Sequence, residues 1–188
     1  MNKCAGIIFG FCLLIIAPLC QAKDIAGISM PDTVQADGSA LVLNGAGVRT
    51  KFFMDLYVGG LYLKQRQADA DKIIAADEPM AIRLHIISGL ITSEKMETAT
   101  REGFANATGG QTSPLAEKIE SFIAVFREQI QKGDIFEFTY VPGAGTRIAK
   151  NGALKKTIPG ADFKRALFGI WLCAKPAQES LKAQMLGK

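Results

Sequence analysis

The chain has 188 residues, enough for one domain with a few appended helices. Its 22 lysines and arginines exceed its 18 acidic residues only slightly, too mild an excess to imply a nucleic-acid surface. The single histidine, His85, has no histidine or cysteine partner at ligand spacing, which argues against a metal centre and leaves it as a packed or hydrogen-bonded strand residue.

The first 22 residues read as an address. Lys3 supplies a positive start, Ala5 to Leu19 are apolar or small, and Cys20-Gln21-Ala22 places small residues at −3 and −1 of a cleavage site before Lys23. The apolar run is shorter than the ~20 residues a bilayer needs, so a cleaved secretory signal peptide is expected rather than a stable membrane anchor. A lipid-modified Cys20 is disfavoured by the bulky Leu19 before it. The expected location is the periplasm. Removal of residues 1–22 would take away Cys4, Cys12 and Cys20 and leave only Cys173, so the mature domain, residues 23–188, must rely on its core rather than on a disulfide.

Asp24 to Ser39 is turn-rich, punctuated by Pro31-Asp32 and Asp37-Gly38, with one brief strand expected around Thr33 to Gln35. Leu41 begins a firmer strand that Gly45-Ala46-Gly47 loosens or bulges before Arg49. No helix pattern follows the Gly-x-Gly, so it lacks the strand–turn–helix context of a phosphate loop, and no cofactor is expected. The extended segments within Leu41–Leu63 are expected to join at Val48-Arg49-Thr50-Lys51. Phe52 to Leu63 reads as the longest strand. Its two-residue period puts Phe52, Met54, Leu56, Val58, Gly60 and Tyr62 on a mostly apolar face, and Phe53, Asp55, Tyr57, Gly59 and Leu61 on the other. The second face mixes aromatic, acidic and small groups, which suits a ligand lining; two buried faces with one satisfied polar pair would fit the same pattern.

A short helix is expected around Asp69 to Ala76, and a strand over Met80 to Ile87. Ser93 starts a helix, capped by Thr92 or Ser93, that stops at Gly109-Gly110. Ser113-Pro114 opens the next, with Leu115, Ile119, Phe122, Ile123, Phe126 and Ile130 as a core-facing stripe, ended by Gly133. Asp134–Val141, Thr146–Lys150 and Ala153–Ile158 make a meander, turned by Pro142-Gly143-Ala144-Gly145 and Asn151-Gly152. Asp162 is expected to cap a helix through Leu172, and a last helix to span Pro176–Leu186. Lys155-Lys156 and Lys164-Arg165 read as solvated surface, and Cys173 as a buried free thiol. The pattern is α+β: a largely antiparallel sheet with helices packed over one face.

Three pieces in this order carry a family resemblance: LNGAGVRTKFF, ending at Phe53; YVGGLYL, Tyr57 to Leu63; and FKRALFGIWLCAKPAQESLKAQMLG, Phe163 to Gly187. Together they resemble the chalcone isomerase-like proteins, and nearly all of the mature chain is covered. The resemblance implies an open-faced β-sandwich with a ligand cleft between sheet and helices. In the plant isomerases an arginine works with a threonine, a tyrosine and an asparagine around the flavonoid. Arg49 matches the arginine, but the other positions fall on Tyr57, on or near Thr92, and on or near Ala99, and a further hydroxyl position falls about Gly169. These departures argue against flavonoid cyclisation.

The fatty-acid-binding branch of the family resembles the chain better. There an arginine and a tyrosine hold the lipid carboxylate, and the tyrosine opens a Tyr-x-x-Gly-Leu-Tyr segment, here Tyr57 to Tyr62. A guanidinium offers a planar fork of donors to a carboxylate, and a tyrosine hydroxyl adds another. The leading expectation is an exported binding protein for a fatty acid or similar amphipathic carboxylate, held by Arg49 and Tyr57, with no catalytic residue. The alternative is an isomerase (intramolecular lyase) in which Arg49 stabilises an oxyanion and Tyr57 shuttles or orients a proton. A third reading is a scaffold in which Arg49 forms a structural ion pair with Asp55.

Overall fold

Antiparallel strands laid down in chain order, with helices inserted between some of them, build the molecule. The computed structural model describes residues 23–188; the expected signal peptide, residues 1–22, lies outside the described residues. β1 (Lys23–Ile25) and β2 (Ile28–Met30) form a small hairpin of their own. A seven-stranded sheet then runs in chain order through β3 (Thr33–Ala36), β4 (Ser39–Lys51), β5 (Met54–Leu63), β6 (Met80–Ile86), β7 (Ile135–Val141), β8 (Gly145–Lys150) and β9 (Ala153–Ile158). Each neighbouring pair is antiparallel. The helices are α1 (Ala70–Ala75), α2 (Ser93–Ala107), α3 (Ala116–Ile123), α4 (Ala161–Leu172) and α5 (Glu179–Met185). The sheet curls into a half-barrel with the helices on one face, which is the expected α+β arrangement.

Alternation along the strands decides which side chains meet the helices. Phe136, Phe138 and Tyr140 of β7 point into one core with Phe104 of α2, Phe122 of α3, and Phe163 and Leu167 of α4. The Phe122 ring packs edge-on against those of Phe104 and Phe138, at centroid distances of 5.8 and 5.2 Å. Met30, Leu41, Val58 and Tyr62 form a smaller core on the opposite face, beneath the β1–β2 hairpin. From Tyr57 onward both faces of β5 are therefore buried.

β4 departs from the expected path in three ways. Val48–Lys51 stay in the strand, and the turn falls one step later at Phe52-Phe53. The bulge is at Asn44, where pairing slips from Leu43 opposite Tyr62 to Gly45 opposite Leu61. Asn44 is buried, and its amide donates to the carbonyls of Gln67 and Met185 while its oxygen accepts from the Gln67 N–H. The glycines do not loosen the strand; they admit α5. A Cβ on Gly45 would sit 2.1 Å from the Gln184 carbonyl oxygen, and one on Gly47 would collide with the Gln184 side chain. A second slip lies between Arg49, opposite Tyr57, and Thr50, opposite Asp55, so Leu56 is the extra residue there.

Other boundaries moved for local reasons. The helix opened by Ser113-Pro114 starts and ends in 3₁₀ turns, Ser113–Leu115 and Ala124–Arg127, and stops before Ile130. Side chains satisfy the backbone beyond it: Ser93 Oγ donates to the Glu128 carbonyl, Lys150 Nζ to that of Gln129, and the Gln131 N–H bonds Asp134. Gly160, at φ 100°, is the N-cap of α4; Asp162 lies inside the first turn and pairs with Lys118 Nζ at 2.7 Å. α5 begins only after Gln178, its extended N-cap. Cys173 is a free, half-buried thiol rather than a buried one.

Lys164 is fully buried, against its reading as surface. Its ammonium donates to the carbonyls of Ile73, Ile74 and Ala76, the unsatisfied end of α1. Burial, with the charge of Arg165, pulls its pKa down from 10.5 to about 8.

Candidate functional site

Between the sheet and α2 lies a cavity of about 690 Å³. Its floor is Tyr57, Leu84 and Phe138 from the sheet, its walls are Met96, Ala99, Thr100 and Gly103 of α2 with Phe122 and Phe126, and its end is closed by Ile170 and Trp171 of α4. A largely apolar cavity of this size with a few convergent polar groups suits a small amphipathic molecule. Arg49, Lys51, Phe52, Met54, Leu90 and Lys95 contribute at its exposed side. The face of β5 that carries Tyr57 does meet the cavity, and the Leu56 bulge brings Met54 and Leu56 into the lining as well, against strict alternation.

Arg49 and Tyr57 sit directly opposite each other on β4 and β5. Cross-strand partners hold their Cβ atoms ~4.5–5.5 Å apart, so the two side chains rise side by side. Arg49 is partly buried. Its Nη1 donates to the Thr50 carbonyl and to Gln178 Oε1, each at 3.0 Å, and that same Oε1 accepts the Thr50 N–H at 2.8 Å. Gln178, at the start of α5, thus fixes the arginine and its strand together. Among the described residues, Nε and Nη2 of Arg49 have no hydrogen-bond partner and no carboxylate pairs with it.

The expected Arg49–Asp55 ion pair is not formed. The bulge sets Asp55 opposite Thr50, whose hydroxyl donates to it at 2.8 Å. Asp55 therefore shares the side of Thr50, away from the arginine.

Tyr57 is buried, and its hydroxyl accepts a hydrogen bond from Trp171 Nε1 at 3.0 Å. Burial raises the phenol above its ordinary pKa of 10, although the Trp171 bond and the Arg49 charge act the other way. At neutral pH the hydroxyl keeps its proton. With the indole occupying one lone pair, that proton is available to a ligand oxygen.

The remaining sequence-derived positions separate. Ala99 lines the cavity, whereas Thr92 serves as the N-cap of α2, accepting from the Lys95 N–H. Gly169 lies against Ala107, where an added Cβ would come within 2.8 Å, so no hydroxyl side chain fits there unless that contact opens. Phe122 and Phe126 belong at once to the core and the cavity wall. Trp171 and Gln178, which orient the two polar groups, were not singled out from the sequence. A lone tryptophan near a helix end hints at the first; nothing local marks the second, since its role depends on how α5 docks.

A half-barrel with helices on one face, enclosing an apolar cavity with a guanidinium and a phenol side by side, defines the class: an α+β domain with a cleft between sheet and helices. More narrowly, the chain belongs to the chalcone isomerase-like family, whose model matches residues 22–187. Among 36 matching chains of solved structures, an Arabidopsis thaliana fatty-acid binding protein is similar over 85% of this chain and 92% of its own, with a TM-score of 0.71. Its sequence identity is 21%, and the likeness is one of fold. No curated protein sequence matches the chain.

Proposed function

We propose that the protein binds a fatty acid or a similar amphipathic carboxylate, with the acid at Arg49 and Tyr57 and the tail along the apolar cavity. The observation that carries this reading is the cross-strand pair itself: a partly buried arginine with no carboxylate partner among the described residues, beside a buried tyrosine that stays protonated. A carboxylate would supply the missing negative charge and accept from both groups. The fold shared with a fatty-acid binding protein supports the same assignment. Lys3, the apolar run to Leu19 and the small residues at Cys20 and Ala22 favour an exported, periplasmic protein processed before Lys23.

The isomerase alternative asks Tyr57 to move a proton, and its raised pKa makes its phenolate a minor species at neutral pH. The experiment that tests the assignment compares a long-chain fatty acid with its methyl ester, read by emission of Trp171, the only tryptophan. The acid should bind and the ester should bind at least ~10-fold more weakly, because the ester keeps the tail and loses the charge. Equal binding of acid and ester would refute the head-group assignment. Bleaching of a chalcone's conjugated absorbance by the protein would establish the isomerase instead.

A further inference from the structure

The tip of the β4–β5 hairpin breaks a rule that the other tight turns obey. Among the described residues, four two-residue hairpin turns place both residues at positive φ: Ala26-Gly27, Asp37-Gly38, Phe52-Phe53 and Asn151-Gly152. Such turns favour asparagine or aspartate followed by glycine, because a Cβ crowds the backbone in that conformation. Three of the four have glycine second. The fourth holds two phenylalanines, at φ 51° and 63°.

Packing within the chain does not account for them. Phe52 is 77% and Phe53 103% exposed, and Met54 and Leu90 beside the cavity are also exposed. Phe52, Met54 and Leu90 line the cavity's open side together with Lys51 and Lys95, and the Lys51 ammonium lies 5.6 Å from the Phe52 ring centroid. Aromatic rings at an exposed tip, flanked by lysines, are suited to the boundary between lipid head groups and acyl chains. Glu94 and Glu102 also line the cavity, so apolar insertion, more than charge, is the dominant attraction.

We propose that the Phe52-Phe53 tip docks the protein on a lipid bilayer, setting the open side of the cavity against the membrane surface. The docking goes beyond the binding of an acid; passage of the acid between bilayer and cavity rests on that reading. A strained aromatic turn that contributes little to the core has its occupant in the membrane interface.

The test is flotation of the purified protein with vesicles of phosphatidylcholine alone and with an equimolar admixture of phosphatidylglycerol. The protein should float with both, somewhat more with the anionic mixture. Phe53→Gly, at a residue that does not line the cavity, should lower the partition by about 10-fold, while the melting temperature holds or rises because the positive φ is relieved. Its Trp171-detected titration with fatty acid, in the absence of vesicles, should match wild type. Phe52→Asn with Phe53→Gly, the sequence of the β8–β9 turn, should abolish flotation. Wild-type protein that stays at the bottom of both gradients overturns the proposal. So does a Phe53→Gly protein that floats like wild type, or one in which the only change is loss of a dimer. Protein that binds fatty acid without floating refutes docking alone, and protein that floats but binds no acid upholds docking while refuting the acid-binding reading.

Discussion

Replacing Arg49 by alanine separates the proposed grip from the scaffold around it. The side chain gives Nη1 to Gln178 and to the Thr50 carbonyl, and leaves Nε and Nη2 for a ligand. Loss of a charge-assisted hydrogen bond to a carboxylate is worth roughly 1.5–3 kcal/mol, so affinity for a long-chain acid should fall roughly 10- to 150-fold. The fold should be much less affected. Gln178 retains the Thr50 N–H and its own bond to Ser180, so only the two bonds from Nη1 disappear, at a partly exposed site. That is about 1–2 kcal/mol, or roughly 2–8 °C in melting temperature for a domain of this size. Arg49→Lys keeps the charge without the planar fork and should fall between wild type and alanine. The assay is titration of the acid by Trp171 emission, paired with a thermal melt of each variant. Binding of Arg49→Ala within twofold of wild type, with the fold intact, would refute the assignment.

Other perturbations reach the site through the scaffold. Trp171→Phe removes the donor to the Tyr57 hydroxyl, so the phenol pKa, read by ultraviolet pH titration, should rise further and acid binding, read with a fluorescent fatty acid, should weaken several-fold. Gly45→Ala forces a Cβ onto backbone atoms of Gln184, Met185 and Gly187, which cannot yield cheaply; a loss of at least ~2 kcal/mol in denaturant midpoint analysis is expected, with binding impaired as α5 and Gln178 shift. Lys164 has a folded pKa of about 8 against 10.5 unfolded, so the unfolded chain holds more protons in that window and stability should rise with pH there, by up to about 1.4 kcal/mol per pH unit. Lys164→Met should be less stable below pH 8 yet lack that slope; an unchanged slope in urea melts between pH 8 and 10 would count against the buried ammonium.

How far the sequence revealed this arrangement depended on whether the signal was local. The meander of β7, β8 and β9 followed from alternation and Asn151-Gly152, and α2 from Thr92 and the glycine pair after it, because each is fixed by residues within a few positions. Arg49 and Tyr57 were legible as residue types on adjoining segments, and the sheet does pair them. What could not be read was register. The extra residues at Asn44 and Leu56 carry no bulge motif, yet they decide that Asp55 turns away and that Leu56 lines the cavity. Lys164 gave the same kind of error: beside Arg165 it looks like surface, and only the placement of α1 against α4 supplies three carbonyls for a buried ammonium.

The bulge at Leu56 bears most directly on what Arg49 is for. A structural arginine in a partly buried setting ordinarily has a carboxylate partner, since removing an isolated charge from water is costly. The chain supplies a carboxylate close by at Asp55, and an unbulged ladder carrying strict alternation would have set it on the side of Tyr57. Instead the extra residue directs Asp55 to Thr50 and, among the described residues, leaves the guanidinium with only neutral partners, the Thr50 carbonyl and Gln178. The glycines at 45 and 47 admit the helix that brings that glutamine, so the same strand both positions the arginine and withholds its natural counter-ion. An anionic ligand would complete the electrostatics, and its binding should therefore stabilise the folded chain in proportion to the logarithm of its concentration above Kd. A neutral ester of the same length, binding through its tail alone, should raise the melting temperature far less at matched concentration. Equal stabilisation by acid and ester would mean that the arginine's unpaired state has some other cause.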